Sequence, residues 1–158
     1  MMTLKMTVRS GLLILISAAI AVAAQSVYDE KADAEAQIRA AVKAASASRK
    51  NIVLDFGGNW CFDCHVLDEQ MHRPELASLI EANYIVVHID VGRFDKNVRI
   101  AERYHVPLKK GVPALAVLDS KGKLLYAQEE GQFEDARHLS RESIREFFVK
   151  WRPKSANP

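Results

Sequence analysis

A chain of 158 residues, 49% hydrophobic and 27% charged, has ordinary globular composition and enough apolar material for one core. Its 22 basic and 20 acidic side chains nearly cancel, which excludes the basic footprint of a nucleic-acid binder, and its two cysteines are too few for a disulfide-stapled scaffold. Setting aside Lys5 and Arg9, which fall in an expected leader, leaves the two signs equal.

Residues 1–24 read as a secretory signal: Lys5 and Arg9 form a positive start, Gly11 to Ala23 is an uncharged and largely apolar run, and Ala21-Val22-Ala23 or Val22-Ala23-Ala24 offers small residues for cleavage. The apolar run falls short of the roughly 20 residues of a spanning helix, which leaves a retained anchor as the alternative. Export, with a bacterial look to the signal, places the cysteines outside the reducing cytosol. The expected divisions are a signal peptide over 1–24, one domain over 25–152 and a polar tail over 153–158.

Residues 29–49 predict an amphipathic helix with a thin stripe of Ala34, Ile38, Ala41, Val42 and Ala45. Asn51 to Phe56 reads as a buried strand, broken by Gly57-Gly58-Asn59. A helix over 61–71 turns Val66, Leu67 and Met71 inward, and another begins at Pro74 with Leu76, Leu79 and Ile80 on one face. Residues 84–89 are a second buried strand, 90–95 a loop, 96–104 a short helix and Leu108-Lys109-Lys110-Gly111 a basic linker. Val112 to Leu118 is a third strand with Pro113 at its beginning, where a missing N–H is tolerated. Lys123 to Ala127 returns beside it after the Asp119-Ser120-Lys121-Gly122 turn. After a polar, irregular stretch over 128–139, Ser140 opens a last helix whose stripe is Ile144, Phe147, Phe148 and Trp151, expected to be core. This order predicts an α/β domain, a central mixed sheet with helices on both faces and an N-terminal helical extension.

The chemistry concentrates in Trp60-Cys61-Phe62-Asp63-Cys64-His65. A Cys-x-x-Cys pair is a redox dithiol, half of a zinc site or, with His65 next, a c-type haem attachment. For the redox reading, Cys61 begins a helix after a buried strand, where free N–H groups and the helix dipole stabilise a thiolate; Cys64, about one turn on, can resolve a mixed disulfide. Asp55 sits inside an apolar strand, where a carboxylate is costly without a partner or a proton, and it is a candidate proton acceptor for Cys64; the plainer reading has it capping or solvating the strand end on an exposed side. The haem reading lacks a suitable distal ligand: Met71 is too close along the same helix, and among His72, His88, His105 and His138 none stands out. A zinc site from Cys61, Cys64, His65 and His72 does not show the two well-spaced ligand pairs of structural sites. No cofactor and no metal is expected.

These pieces together — Val53-Leu54-Asp55-Phe56, Asn59-Trp60-Cys61-Phe62-Asp63-Cys64 and Gly111-Val112-Pro113 before a strand and hairpin — resemble the thioredoxin-like superfamily from about Lys31 to Trp151. The likeness is strongest to exported members related to the C-terminal domain of the bacterial membrane thiol–disulfide electron transporter. The resemblance implies a thioredoxin-like fold and a thiol–disulfide oxidoreductase. It implies Cys61 as nucleophile, Cys64 as resolving cysteine, Asp55 as buried acid and Pro113 as a cis-proline facing the dithiol, a state that spacing alone does not give. Trp60, Phe62 and Val112 become substrate contacts, Val112 through its backbone. Gly57-Gly58-Asn59 and Phe62-Asp63 depart from the cytoplasmic thioredoxin pattern.

Within the motif, Asp63 and His65 are the redox-tuning candidates. A carboxylate between the cysteines raises the pKa of Cys61 and leans the protein toward reduction. His65 reads as an ordinary helix side chain flanking the pair. The expectation is a periplasmic reductase or isomerase, or a membrane-anchored one facing the periplasm. Its partners would be exported proteins with disulfides or thiols and a membrane thiol–disulfide electron donor, with no nucleic acid, and the protein is expected to be a monomer. The alternatives are an electron carrier dedicated to one partner and a binding module with a static disulfide.

Overall fold

The computed structural model describes residues 26–154, so the expected leader over 1–24 and the last residues of the tail lie outside the described residues. A four-stranded mixed sheet forms the centre. Strand β1 (Asn51–Gly57) pairs in parallel with β2 (Tyr84–Asp90) and antiparallel with β3 (Ala114–Leu118), and β4 (Leu124–Ala127) closes the hairpin with β3. Every residue of β1 is buried, as a near-continuous apolar run between two neighbours requires.

Alternation along the strands divides the core into two layers. Ile52, Leu54 and Phe56 point toward Ile38 and Ala41 of helix α1 (Ala34–Ser48), with Ile100 of α4 (Val98–Arg103) in the same layer. Val53, Leu115 and Val117 face the other way, into Leu67 of α2 (Phe62–Met71), Ile80 of α3 (Pro74–Asn83) and Phe148 of α5 (Arg141–Trp151). The α5 stripe is core as expected at Ile144 and Phe148, while Phe147 and Trp151 pack partly buried against it. Ser140 caps that helix by accepting from the Ser143 N–H.

The first helix is shorter than the composition of residues 29–49 predicts. Asp33 accepts from the Ala36 N–H and sets the helix start at Ala34, while Asp29 accepts from the Lys31 N–H and turns the preceding backbone away from helix. That leaves residues 26–33 free to carry Tyr28, fully buried, down to the end of β1. Two 3-10 turns, Leu108–Lys110 and Ala136–His138, also form within stretches whose sequence shows no periodic pattern.

Candidate active site

Cys61 is the N-cap of α2, directly beyond the C-terminal end of β1. Its N–H donates to the Gly58 carbonyl at 2.9 Å, which closes the loop, and its sulfur accepts from the Cys64 N–H at 3.1 Å. The two cysteines are joined as a disulfide. Cys61 is 5% exposed and Cys64 not at all, so only the first can be met by an incoming sulfur. The N–H aimed at Cys61 and the helix start behind it stabilise a thiolate once the bond is reduced.

Across from the pair, the Val112–Pro113 peptide bond is cis, and the Val112 carbonyl oxygen lies 3.5 Å from the Cys61 sulfur. A disulfide sulfur has no proton to give, so this contact becomes a hydrogen bond only in the dithiol form. Trp60 and Phe62 flank Cys61 at 40% and 64% exposed. Trp60 is fixed by donating its indole N–H to the Gly92 carbonyl at 2.5 Å. Phe94 meets its ring edge-on, with centroids 5.6 Å apart, and the Arg93 guanidinium lies 4.8 Å over it. Phe94 takes a left-handed φ of 68° and stays largely exposed, so an aromatic ring is presented to solvent beside Trp60.

Within β1, Asp55 is completely buried and in register with His88 on β2. One carboxylate oxygen, Oδ2, accepts from the Tyr28 hydroxyl at 3.0 Å and lies 2.9 Å from His88 Nδ1. The other, Oδ1, has no hydrogen-bond partner among the described residues. His88 Nε2 lies 3.7 Å from Asp68 of α2, an ion-pair distance. Burial pulls the His88 pKa down, but the Asp55 hydrogen bond and the charges of Asp55 and Asp68 outweigh it and leave the imidazole above its ordinary value. Burial, then the neighbouring Asp55, push the Tyr28 hydroxyl well above the usual phenol.

This packing accounts for the glycine at the end of β1. A Cβ on Gly57 would collide with the Tyr28 hydroxyl and come within 2.8 Å of the Cys64 sulfur. The Tyr28 ring takes the space a side chain would fill. Asn59 completes the fit by accepting from the Tyr28 N–H at 3.0 Å and donating to the Tyr28 carbonyl at 2.8 Å.

Asp63 is not the lone carboxylate the motif suggests. Arg137 brackets it through the guanidinium, and the Arg137 backbone N–H donates to it at 3.0 Å. The Arg137 hydrogen bond, against the opposing effect of burial, holds the Asp63 carboxyl below its usual range. The same guanidinium lies 5.2 Å over the Phe62 ring. The Asp63 charge is therefore offset by a cation, which weakens its expected push on the Cys61 thiolate. His65 lies 2.8 Å from the Asn59 carbonyl through Nε2 and so braces the loop before the cysteines.

Cys61, Cys64, Val112 and Pro113 thus meet at one point, Trp60 and Phe62 border it, and Asp55 is linked to its rear through the Tyr28 hydroxyl, which lies beside Gly57 and Cys64. Sequence reasoning missed Tyr28 and Arg137, and it gave His88 and Asp68 no part in the site. For His88 a signal existed: like Asp55, it is a lone ionisable residue in an apolar strand, and buried polar groups seek each other.

The family described as thioredoxin-like matches residues 33–120. Among solved structures, a disulphide isomerase from Xylella fastidiosa Temecula1 is 39% identical with a TM-score of 0.77, over 81% of this chain and 98% of that one. The oxidised C-terminal domain of DsbD from Neisseria meningitidis is 21% identical with a TM-score of 0.56, over 77% of this chain and 97% of that one, a likeness of fold. Its reduced form gives 20% and 0.54, over 75% and 96%. None of the curated proteins matches the sequence.

Proposed function

The chain belongs to the thioredoxin-like family and is a thiol–disulfide oxidoreductase; from that premise we propose that it reduces or reshuffles disulfides of exported proteins in the periplasm. The observation that carries this reading is the Cys61–Cys64 disulfide itself, set at a helix N-terminus with one sulfur reachable and the other enclosed. The 39% identity to a protein described as a disulphide isomerase supports the substrate class. The leader-like first 24 residues support the compartment. The fold-level likeness to the DsbD C-terminal domain is compatible with a membrane thiol–disulfide donor that returns the pair to its dithiol form.

In the reductive direction, the Cys61 thiolate attacks a substrate sulfur, forms the mixed disulfide and releases the other substrate sulfur as a thiolate. Trp60 and Phe62 receive the flanking apolar side chains, and the Val112 backbone pairs with the extended substrate next to Pro113. Cys64 then attacks Cys61, the Cys61–Cys64 bond forms, and the second substrate sulfur leaves. Asp55 takes the Cys64 proton as its sulfur becomes a nucleophile.

Trapping tests the proposal. A Cys64→Ser variant incubated with periplasmic extract should accumulate mixed disulfides through Cys61, released by dithiothreitol, with several captured partners. Capture of one partner only would favour the dedicated carrier. A reduced wild-type protein that neither reduces insulin nor refolds a scrambled substrate, and a variant that traps nothing, would overturn it.

A further inference from the structure

We propose that His88 is a positioning residue that carries the Cys64 proton from Asp55 to solvent through a cleft separate from the substrate face. The inference rests on the reading of Asp55 as the acceptor for Cys64. Three observations carry it beyond that reading. Asp55 is sealed from water, so a proton it accepts needs a neighbour able to take it. His88 Nδ1 is 2.9 Å from that carboxylate, while His88 Nε2 faces Asp68 on the other side of the ring. The ring also lines a cleft of about 340 Å³ with Ser26, Val27, Asp68 and His72, away from Trp60, Phe62 and Val112. Tyr28 and His88 both occupy Oδ2, which leaves Oδ1 as the free oxygen of the acid.

The step balances without a further reactant. The Cys64 sulfur gives its proton to Asp55 and attacks Cys61; the Cys61–Cys64 bond forms, the bond from Cys61 to the substrate breaks, and the substrate sulfur leaves with the electron pair. Asp55 takes the Cys64 proton on its free Oδ1 as the proton shared between Oδ2 and His88 Nδ1 passes to the ring, and the ring releases its Nε2 proton toward Asp68 and water. On reduction the same route runs inward. A docked protein covers the Cys61 side and leaves this route open, so proton traffic and substrate binding do not compete.

The groups facing His88 set the sign of its pH dependence. Asp55 from β1 and Asp68 from α2 favour the imidazolium, with Tyr28 edge-on at 5.4 Å; His72 just past the end of α2, Glu81 from α3 and Asp29 from the N-terminal segment line the adjoining clefts. Only neutral His88 can accept the Asp55 proton, so the resolving step accelerates as pH rises through the titration of the ring. That titration falls above the ordinary imidazole range because the two carboxylates hold the proton on.

The test uses the reduced, full-length protein and an aromatic disulfide whose thiolate is coloured. The first release reports attack by Cys61 and the second reports resolution by Cys64. In wild type the second rate shows an inflection above the ordinary imidazole value. His88→Gln should leave the first rate unchanged, slow the second about tenfold near neutral pH and remove that inflection. Imidazole added to His88→Ala should restore the second rate through the open cleft. An Asp55→Asn variant that slows resolution beside a His88→Gln variant with the wild-type rate and profile would overturn the route and leave the Asp55 reading standing. An Asp55→Asn variant with unchanged resolution would overturn that reading and the route with it. Should the His88 variants fail to fold, ring-nitrogen NMR of the wild type decides: the His88 titration should move between the disulfide and dithiol forms, and an unmoved titration refutes the coupling.

Discussion

The two sides of the disulfide are built by opposite rules. In front, Trp60, Phe62 and Phe94 are exposed aromatics fixed by a single indole hydrogen bond and edge contacts. Behind, Tyr28, Asp55 and Gly57 are buried with His88 mostly so, and most of their polar atoms are shared between two of them. Side chains in front can adjust to different partners at little cost to the fold. Those behind are locked by packing, so a change at one is felt by the rest. The slightly exposed sulfur of Cys61 belongs to the adaptable side, and the enclosed sulfur of Cys64 belongs to the rigid one.

The sharpest break in this comparison comes at the junction. Cys61→Ser should abolish insulin reduction entirely while the far-ultraviolet circular dichroism stays that of the wild type. Next in size is the rear wall. Gly57→Ala places a methyl group against the Tyr28 hydroxyl and Cys64, and should destabilise by about 1–3 kcal/mol in urea unfolding. Adding Tyr28→Phe removes the hydroxyl and should recover part of that loss; strict additivity of the two changes would contradict the shared packing.

The clamp at Asp63 should give a smaller, pH-dependent effect. Its folded pKa is lowered, so the stability it contributes is present above the unfolded value and is lost as pH falls through the folded one. Asp63→Asn should therefore be less stable than wild type at neutral pH and converge with it in acid, as read by denaturant midpoints from about pH 2 to 7. His88 works in the opposite sense: its raised pKa contributes stability below the unfolded value that fades as pH rises through the folded one. The smallest change is expected in front. Phe62→Ala should raise KM for an unfolded disulfide substrate a few-fold, about 1 kcal/mol of lost contact, with the melting temperature unmoved. A large stability loss there would erase the contrast between the two sides.

Much of this fold is legible in the sequence. Three strands announce themselves as short buried runs, and the Cys-x-x-Cys pair falls where strand gives way to helix; the part of Pro113 opposite the pair comes from the family resemblance alone. What escaped notice had its cause far along the chain. Tyr28 bonds to Asp55 across 27 positions and Arg137 reaches Asp63 across 74, from a stretch whose polar composition shows no period. The helix assigned to residues 29–49 failed at its start for a related reason: local propensity favoured helix, and two aspartate side chains together with the burial of Tyr28 decided otherwise. The spacing places Asp63 between the cysteines, but its electrostatic character comes from a guanidinium that the spacing does not disclose.

The pairing of Asn59 with the Tyr28 backbone has a practical consequence for how the chain may be trimmed. Tyr28 acts as a stopper over the acid, pinned by the same loop that presents the cysteines. If the proposed leader is cut after Ala23 or Ala24, the stopper stays in place with only a few residues to spare. Trimming past it would flood Asp55 with water, replace its insulated surroundings by bulk dielectric and leave Gly57 with nothing to make room for. The boundary for a working fragment is thus set at Tyr28, ahead of the first helix and earlier than the sheet alone requires.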